Sequence, residues 1–556
     1  MTRAAWVLVL ALAGGAEAGE HAFFADVTRA SGVHFVHQHG GFLMNLPETT
    51  GAGVAVFDYD GDGLPDLFFA QGPGGACQLY RNEGGMRFRE VALPAGVARH
   101  GSAMGVLAVD LDGDGNQDLV VVGYGEPASY YENQGDGTFR ERAAAVGLAG
   151  DGRFASFVTA LDYDHDGRLD LFVGRYTQYD ARDWITDPAR AGVTVHAMGA
   201  LATGLAVHAH APAASTLWRN ELPRGFRDVT AGAGLAGARG RSLAAVGADL
   251  DDDGWPDLFV ANDQGPCALF INRRDGTFAD ASAAGWVNEV RGSMGLALGD
   301  VNDDGRLDLV VTHWYGDYPA LYENLGHYHG APALRFVDRG ELSGLADGPA
   351  DRVGWGAGFV DVDRDGQDDL LIVNGHTHYP PHDWGRLKPL RAELWRRTGP
   401  SRFVRVPPAG PRDPLARARV GRGLALGDLD RDGAVDAVIT SNNGPAEVWR
   451  GTPPRDTAWI GLELVGGASI RDAIGARVTL EDGPRRRVRE LAAGESYLSS
   501  SSRTQVFGLG RHTGELAARV RWPSGTIETF SGLAANGYRR LVEGTGAPGA
   551  IGRVAE

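Results

Sequence analysis

Apolar and polar positions along the chain fall into one recurring figure. In residues 53–70, GVAVFDYDGDGLPDLFFA, two short apolar runs flank a segment that sets four aspartates, Asp58, Asp60, Asp62 and Asp66, within nine positions. Runs of this length, rich in aromatic and β-branched residues and bounded by Asp and Gly, predict two β-strands joined by a hairpin turn. The figure returns as DLDGDGNQD from Asp110, DYDHDGRLD from Asp162, DLDDDGWPD from Asp249, DVNDDGRLD from Asp300, DVDRDGQDD from Asp361 and DLDRDGAVD from Asp428. Each copy is followed by a third strand: LYRN at 79, YYEN at 130, LWRN at 217, LFIN at 269, LYEN at 321, LWRR at 394 and EVWR at 447. Six copies add a fourth, which begins at Phe88, Phe139, Phe226, Phe278, Phe336 or Phe403.

First aspartates are spaced by 52, 52, 87, 51, 61 and 67 residues, which suits propeller blades carrying insertions. The seventh copy lacks its fourth strand, and FADVT at Phe24 stands ahead of the first loop. The chain therefore begins with the outer strand of the blade that comes last, an offset that closes a ring and leaves no open sheet edge. The expected fold is all-β: a seven-bladed β-propeller over residues 19–452, with residues 24–28 closing the last blade. After the Pro-rich joint GTPPRD (451–456), a small C-terminal β-rich domain is expected over 455–545, with a tail at 546–556.

Like charges packed this closely repel, so the loops need a counter-charge. Side-chain oxygens at positions one, three and five, a turn-forming Gly at six, a main-chain carbonyl at seven and a carboxylate at nine wrap a hard cation with oxygen, and calcium is the expected ion. The ligand sets are Asp58, Asp60, Asp62 and Asp66; Asp110, Asp112, Asp114 and Asp118; Asp162, Asp164, Asp166 and Asp170; Asp249, Asp251, Asp253 and Asp257; Asp300, Asn302, Asp304 and Asp308; Asp361, Asp363, Asp365 and Asp369; Asp428, Asp430, Asp432 and Asp436. Up to seven Ca2+ ions are expected, with a weaker fifth site because Asn302 offers an uncharged oxygen. An EF-hand would need Glu at position twelve and flanking helices, whereas position twelve here is apolar and the flanks are strands. Seven divalent ions would bring the formal charge of −18 to −4, so much of the acidity is metal ligand. No Lys/Arg block compensates the remainder, which argues against nucleic acid or an anionic membrane as partner.

The first residues, MTRAAWVLVLALAGGAEAGE, have the layout of a secretory signal peptide ending at Ala18: Arg3, an apolar run, then small residues. Export to the periplasm or the extracellular space is expected, without membrane insertion. The chain has two cysteines and no Asn-x-Ser/Thr sequon, so neither a disulfide framework nor N-glycosylation is expected, a weak pointer to a bacterial exporter.

These repeats resemble FG-GAP/VCBS repeats, and HQHGGFLMNLPETTGAGVAVFDYD together with VNGHTHYP at 373 resembles the cartilage-acidic-protein-like family. SIRDAIGARVTL, RELAAGESYLSS, VFGLG and RWPSGTIETF are similar, in this order, to an ASPIC/UnbV domain. The resemblance implies an exported calcium-binding β-propeller with an appended β-rich module. Members often carry cysteines in the long third-blade insertion, where this chain offers His196, His208 and His210 instead.

No G-x-S-x-G, H-E-x-x-H, C-x-x-C or phosphate-binding Gly loop is present. His376, His378 and His382 in NGHTHYPPH could ligate a transition metal, although a hydrogen-bonded surface turn is the commoner outcome. The run Ser499–Ser502 reads as a polar turn. Arg153, Arg291, Arg352 and Arg419 stand nine residues before the first aspartate of their repeats, and Arg241 eight before. This places them at the end of the innermost strands opposite the loops, where they are expected either to gather around the channel mouth as an anion site or to pair locally with acids. The reading is a calcium-binding binding or adhesion module for a glycan, an anionic small molecule or a protein; the alternative is a lyase or hydratase acting on an acidic sugar or similar anion in the Arg-lined channel mouth.

Cys77 and Cys267 stand at matching places in the first and fourth repeats, three blades apart, and a disulfide needs Cα atoms about 4.4–6.8 Å apart. A denatured, unreduced sample should titrate two thiols per chain; a count of zero would refute the blade assignment as well.

Overall fold

Every Asp loop turns at its sixth residue, and all seven glycines there, Gly63 to Gly433, hold φ between 81° and 94°, a region costly to any side chain. The turn joins the two inner strands of a four-stranded antiparallel sheet, as Val54–Phe57 and Asp66–Phe69 are joined in the first. The computed structural model describes residues 21–38, 46–150, 152–178, 210–328, 333–377, 387–512 and 514–549, so the expected leader lies outside it. Seven such sheets occur, and Phe24–Asp26 pairs with Glu447–Gly451 to complete the last. The innermost strands, Val54–Phe57, Ala103–Val109, Ala155–Leu161, Ser242–Ala248, Ser293–Gly299, Gly354–Val360 and Gly421–Gly427, touch in cyclic order, the seventh against the first.

One side chain repeats the joint between blades. The Asn ending the third strand donates from Nδ2 to a loop carbonyl of the preceding blade: Asn133 to Tyr59 (2.8 Å), Asn220 to Leu111 (2.8 Å), Asn272 to Tyr163 (2.9 Å) and Asn324 to Leu250 (2.8 Å). Asn82 of the first blade makes the same bond to Leu429 of the seventh, 2.8 Å away.

The C-terminal domain packs a three-stranded sheet, in which Ala458–Val465 runs antiparallel to Gln505–Gly510 and parallel to Gly537–Val542, against a five-stranded one. It shares one apolar cluster with the propeller, in which Ile460, Val478 and Trp522 join Leu107, Val120 and Leu171. Residues 493–502 leave this domain and run through the propeller channel as an irregular segment bonded to the innermost strands by isolated bridges. Val56 N donates to Ser500 O and Ser500 N to Val54 O, both at 2.9 Å. Val106 N donates to Leu498 O (3.1 Å), Ser496 N to Leu296 O (2.9 Å) and Ser502 N to Leu426 O (2.8 Å). Room for this backbone comes from residues without side chains: a Cβ on Gly53 would lie 1.7 Å from Leu498 O, and one on Gly427 2.9 Å from Ser502 Cβ. The serine run is therefore no surface turn. Ser499 and Ser500 are buried, with Ser499 Oγ accepting from Val54 N at 3.2 Å, because the channel-facing amides of the innermost strands need partners.

Cys77 and Cys267 are both buried and free. Tyr497 is wholly buried at the channel axis, edge-on to Trp355 with ring centroids 4.8 Å apart, and donates to Thr50 O (3.0 Å). Since Tyr497 is one of the contacts that tie the domains together, Tyr497→Ala should cost about 4 kcal/mol and lower the midpoint of a single transition in which both domains unfold. A calorimetric trace with the propeller peak unmoved would contradict the interlock.

Candidate metal centres

The first aspartate of each loop is fixed by the loop's own amides. Asp58 accepts from Gly61 N and Gly63 N, both at 2.9 Å, and Asp110 from Gly113 N and Gly115 N, both at 2.8 Å. The other five follow, down to Asp428, which accepts from Asp432 N (3.0 Å) and Gly433 N (2.6 Å). The fifth-position carboxylate caps the amide two residues on, as Asp62 does for Leu64 N at 2.9 Å. The ninth is the most buried: Asp66, Asp118, Asp170, Asp257, Asp308, Asp369 and Asp436 are at most 1% exposed. Its two oxygens receive two backbone amides, as Asp436 takes Leu429 N (2.7 Å) and Gly451 N (2.8 Å), which ties the loop to the third strand.

Carboxylate oxygens therefore converge. In the sets Asp110, Asp112, Asp118; Asp162, Asp164, Asp170; and Asp249, Asp251, Asp257 they lie within 4.8 Å of one another, as they do in Asp58, Asp60, Asp62 and Asp361, Asp363, Asp365. These clusters can hold metal ions. Burial pushes the Asp66 and Asp118 carboxyls up to about 8 and Asp369 to about 9, even though each accepts backbone amides. Asp170, Asp257, Asp308 and Asp436 are raised well above the carboxylate range for the same reason.

Part of the counter-charge comes from a residue to which the sequence reading gave no role, the Arg of the LYRN-type strand. Arg81 Nε lies 2.7 Å from Asp60 Oδ2, Arg219 Nε 2.8 Å from Asp164 Oδ2 and Arg450 Nε 2.8 Å from Asp430 Oδ2. Its recurrence two residues after the conserved-looking strand Leu or Val was the available signal. In the same three aspartates the other oxygen, Oδ1, is buried with no hydrogen-bond donor. An all-oxygen donor set with an orphaned inner carboxylate oxygen fits a hard cation.

The C-terminal domain roofs these loops. Asp472 accepts from Asp110 N (2.6 Å) and pairs with Arg503; Glu490 accepts from Asp249 N (2.8 Å), and Arg521 pairs with Asp249. Arg489 pairs with Asp368 at 2.5 Å, and Tyr538 donates to Asp428. This domain thus fixes the backbone from which the loops of the second and fourth blades start, and the first carboxylate of the seventh.

The arginines before the innermost strands do not form a ring around one mouth. Arg352 turns to Glu393 (3.7 Å) and to the carbonyls of Leu345 (2.8 Å) and Ala346 (3.2 Å). Arg419 turns to Glu447 (3.1 Å) over the face of Trp449, and Arg291 to Asp338 (2.8 Å) and Glu289 (2.6 Å). Each reaches outward to the third or outer strand of its own blade, because a carboxylate there offers an ion pair while the channel is already filled by residues 493–502. Arg241 donates to the carbonyls of Gln264 (3.3 Å) and His210 (3.0 Å); Arg153 lines a separate cavity with Arg175 and Arg239. The guanidinium that does face the channel is Arg422, wholly buried and donating to Thr49 O (2.8 Å) and Gly421 O (2.7 Å). His376 is buried beside Tyr315, ring centroids 5.5 Å apart, whereas His378, His382, His196 and His208 lie outside the described residues.

The FG-GAP-like repeat family matches residues 58–121, 110–173 and 249–311, and the ASPIC and UnbV family matches 466–548. Cartilage acidic protein 1 of Homo sapiens is 27% identical over 496 residues, covering 86% of this chain and 70% of the relative. The Mus musculus protein is 26% identical over 500 residues, covering 87% and 72%. Among solved structures, BBS1N in complex with ARL6DN is similar with a TM-score of 0.41 and 10% identity, covering 78% of this chain and 98% of that one. FG-GAP-like repeats and an ASPIC and UnbV domain are both present. Among the described residues, no helix is long and apolar enough to cross a membrane.

The double-acceptor role of the ninth aspartate can be tested without any metal. Asp436→Asn keeps the shape but turns an NH2 toward a backbone amide, so in chelator it should cost about 2 kcal/mol by urea midpoint. A change under about 0.5 kcal/mol would show that these bonds do not hold the blade.

Proposed function

We propose that this relative of cartilage acidic protein 1, built from FG-GAP-like repeats and an ASPIC and UnbV domain, is an exported binding or adhesion module that calcium holds in shape. The observation that carries the reading is the inner oxygen of Asp60, Asp164 and Asp430, buried beside other carboxylates with no donor. Arginine neutralises the outer oxygen of each, so a cation at the centre is the remaining counter-charge. The oxygens are close together and carboxylate-rich, which suits calcium better than magnesium, an ion that keeps several waters. Positions one, three, five and nine would hold it, with the carbonyl of position seven. What the ion supplies is cohesion of the loop face on which the C-terminal domain sits. Export is read from the leader and binding from the repeat architecture. No observation favours turnover of an acidic sugar in the channel mouth, since that channel is occupied by the chain itself.

Ions bound only by the folded state each add about 2.7 kcal/mol at a hundredfold excess over Kd. Melting should therefore fall sharply in EDTA and recover on adding calcium, and Asp112→Ala should lower the calcium content of purified protein by one ion per chain. An unchanged midpoint after verified metal removal would overturn the reading.

A further inference from the structure

One carboxylate inside the molecule meets no counter-charge. Where the channel segment enters the propeller, a cavity of about 120 Å3 remains between it and the loop-side ends of three innermost strands, at Leu298, Phe359 and Leu426 of the fifth, sixth and seventh blades. Its charged lining is Asp368, Arg489, Glu490 and Glu495. Asp368 pairs with Arg489 (2.5 Å), and Glu490 takes Arg477 (2.9 Å) on one oxygen and Asp249 N (2.8 Å) on the other. Among the described residues, Glu495 has neither a hydrogen bond nor an ion pair. Burial, and after it the Glu490 carboxylate, push its carboxyl up to about 7, and Arg489, already bound to Asp368, offsets only part of this. A second, independent sign of a ligand is the next residue. Ser496 also lines the cavity and is 3% exposed, and its Oγ is buried with no hydrogen-bond partner. Two backbone bonds to Leu296 (2.9 and 3.2 Å) fix it at the wall. Ser501, Ser502 and Thr504 of the returning leg add hydroxyls to the lining, of which Ser501 Oγ already accepts from Leu426 N at 3.1 Å.

We propose that this cavity binds one alkali-metal cation between the Glu495 carboxylate and the Ser496 hydroxyl. A buried charge persists only where it is paired, and a buried hydroxyl oxygen without a donor has lone pairs to give. Both are hard oxygen ligands, which suit a hard cation. The charge count selects a monovalent ion: one carboxylate here is uncompensated, whereas the Asp loops bring three carboxylates together. The volume points the same way. It exceeds the roughly 30 Å3 that a water occupies, so an ion fits with some of its waters, and it falls short of the roughly 300 Å3 at which organic-ligand sites begin. The ion would join the entering and returning legs of the channel segment where they pass the innermost strands. The inference goes beyond the calcium reading, since neither Glu495 nor Ser496 belongs to an Asp loop.

The test is thermal melting of the full chain in excess calcium and at one ionic strength, in lithium, sodium, potassium or rubidium chloride against tetramethylammonium chloride, whose methyl shell keeps oxygen ligands off its charge. At least one alkali ion should raise the midpoint by about 2 °C or more, and the rise should grow with the logarithm of its concentration. Glu495→Gln should abolish that rise and, in tetramethylammonium, melt no lower than wild type, because its amide carries no unpaired charge. Ser496→Ala should raise the ion concentration needed for the same shift at least tenfold. Equal wild-type midpoints in all the salts, a rise that persists in Glu495→Gln, or an unchanged ion requirement in Ser496→Ala would each overturn the proposal. Calcium is constant throughout, so these outcomes fall on the alkali site alone, and those of the EDTA experiment on the calcium reading.

Discussion

The structure depends on a carboxylate placed where water does not reach. The ninth aspartate of each loop lies between the two inner strands and the third, and its two oxygens take one amide from the loop and one from the third strand. Two backbone hydrogen bonds hold the geometry but do not offset burial, as the raised Asp66, Asp118 and Asp369 show. Positive charge at that end of the blade comes in part from the Arg of the third strand, set against the third-position aspartate, and the clustered carboxylates beside it can hold metal ions.

That constraint also explains the placement of the second domain. Loops that fold around charge are poor surfaces for apolar packing, and the C-terminal domain meets them mostly through ionic and polar contacts, such as Arg477 with Asp252 (2.8 Å) and Arg489 with Asp368 (2.5 Å). Its apolar contributions are Tyr497 and Leu498, which enter the channel lined by small residues, and Ile460, Val478 and Trp522, which cluster with Leu107 and Val120. The two domains therefore share a core and an electrostatic interface, and neither boundary is solvent-filled in the way an independent module would require.

What was legible in the sequence was local. Blade, turn and closing strand are each written within a few residues of one another, and Phe24 could be assigned to the last blade because the seventh copy visibly lacks its outer strand. The segment in the channel was not legible: Ser500 pairs with Val54 across more than four hundred residues, and a run of serines carries no hydrophobic period to announce burial. The role of Arg81 and Arg219 was hidden for a different reason, since a lone Arg in a strand motif is ordinarily a solvated residue and only its approach to Asp60 or Asp164 gives it work.

The two charge arguments that the sequence invited turn out to differ in kind. Aspartates inside a nine-residue turn have little freedom, because backbone amides hold the first, fifth and ninth carboxylates, so spacing largely determines convergence. Arginines on the segments between blades have long side chains and a choice of partners, and spacing fixes where they start but not where they end. Three accordingly take an acid that their own blade offers: Glu393 for Arg352, Glu447 for Arg419, Asp338 for Arg291. The fourth blade has Ala268 at the place of that Glu, and Arg241 turns instead to the carbonyls of Gln264 and His210. A repeat thus fixes where such a side chain begins, and the variable residues of each blade decide what it meets.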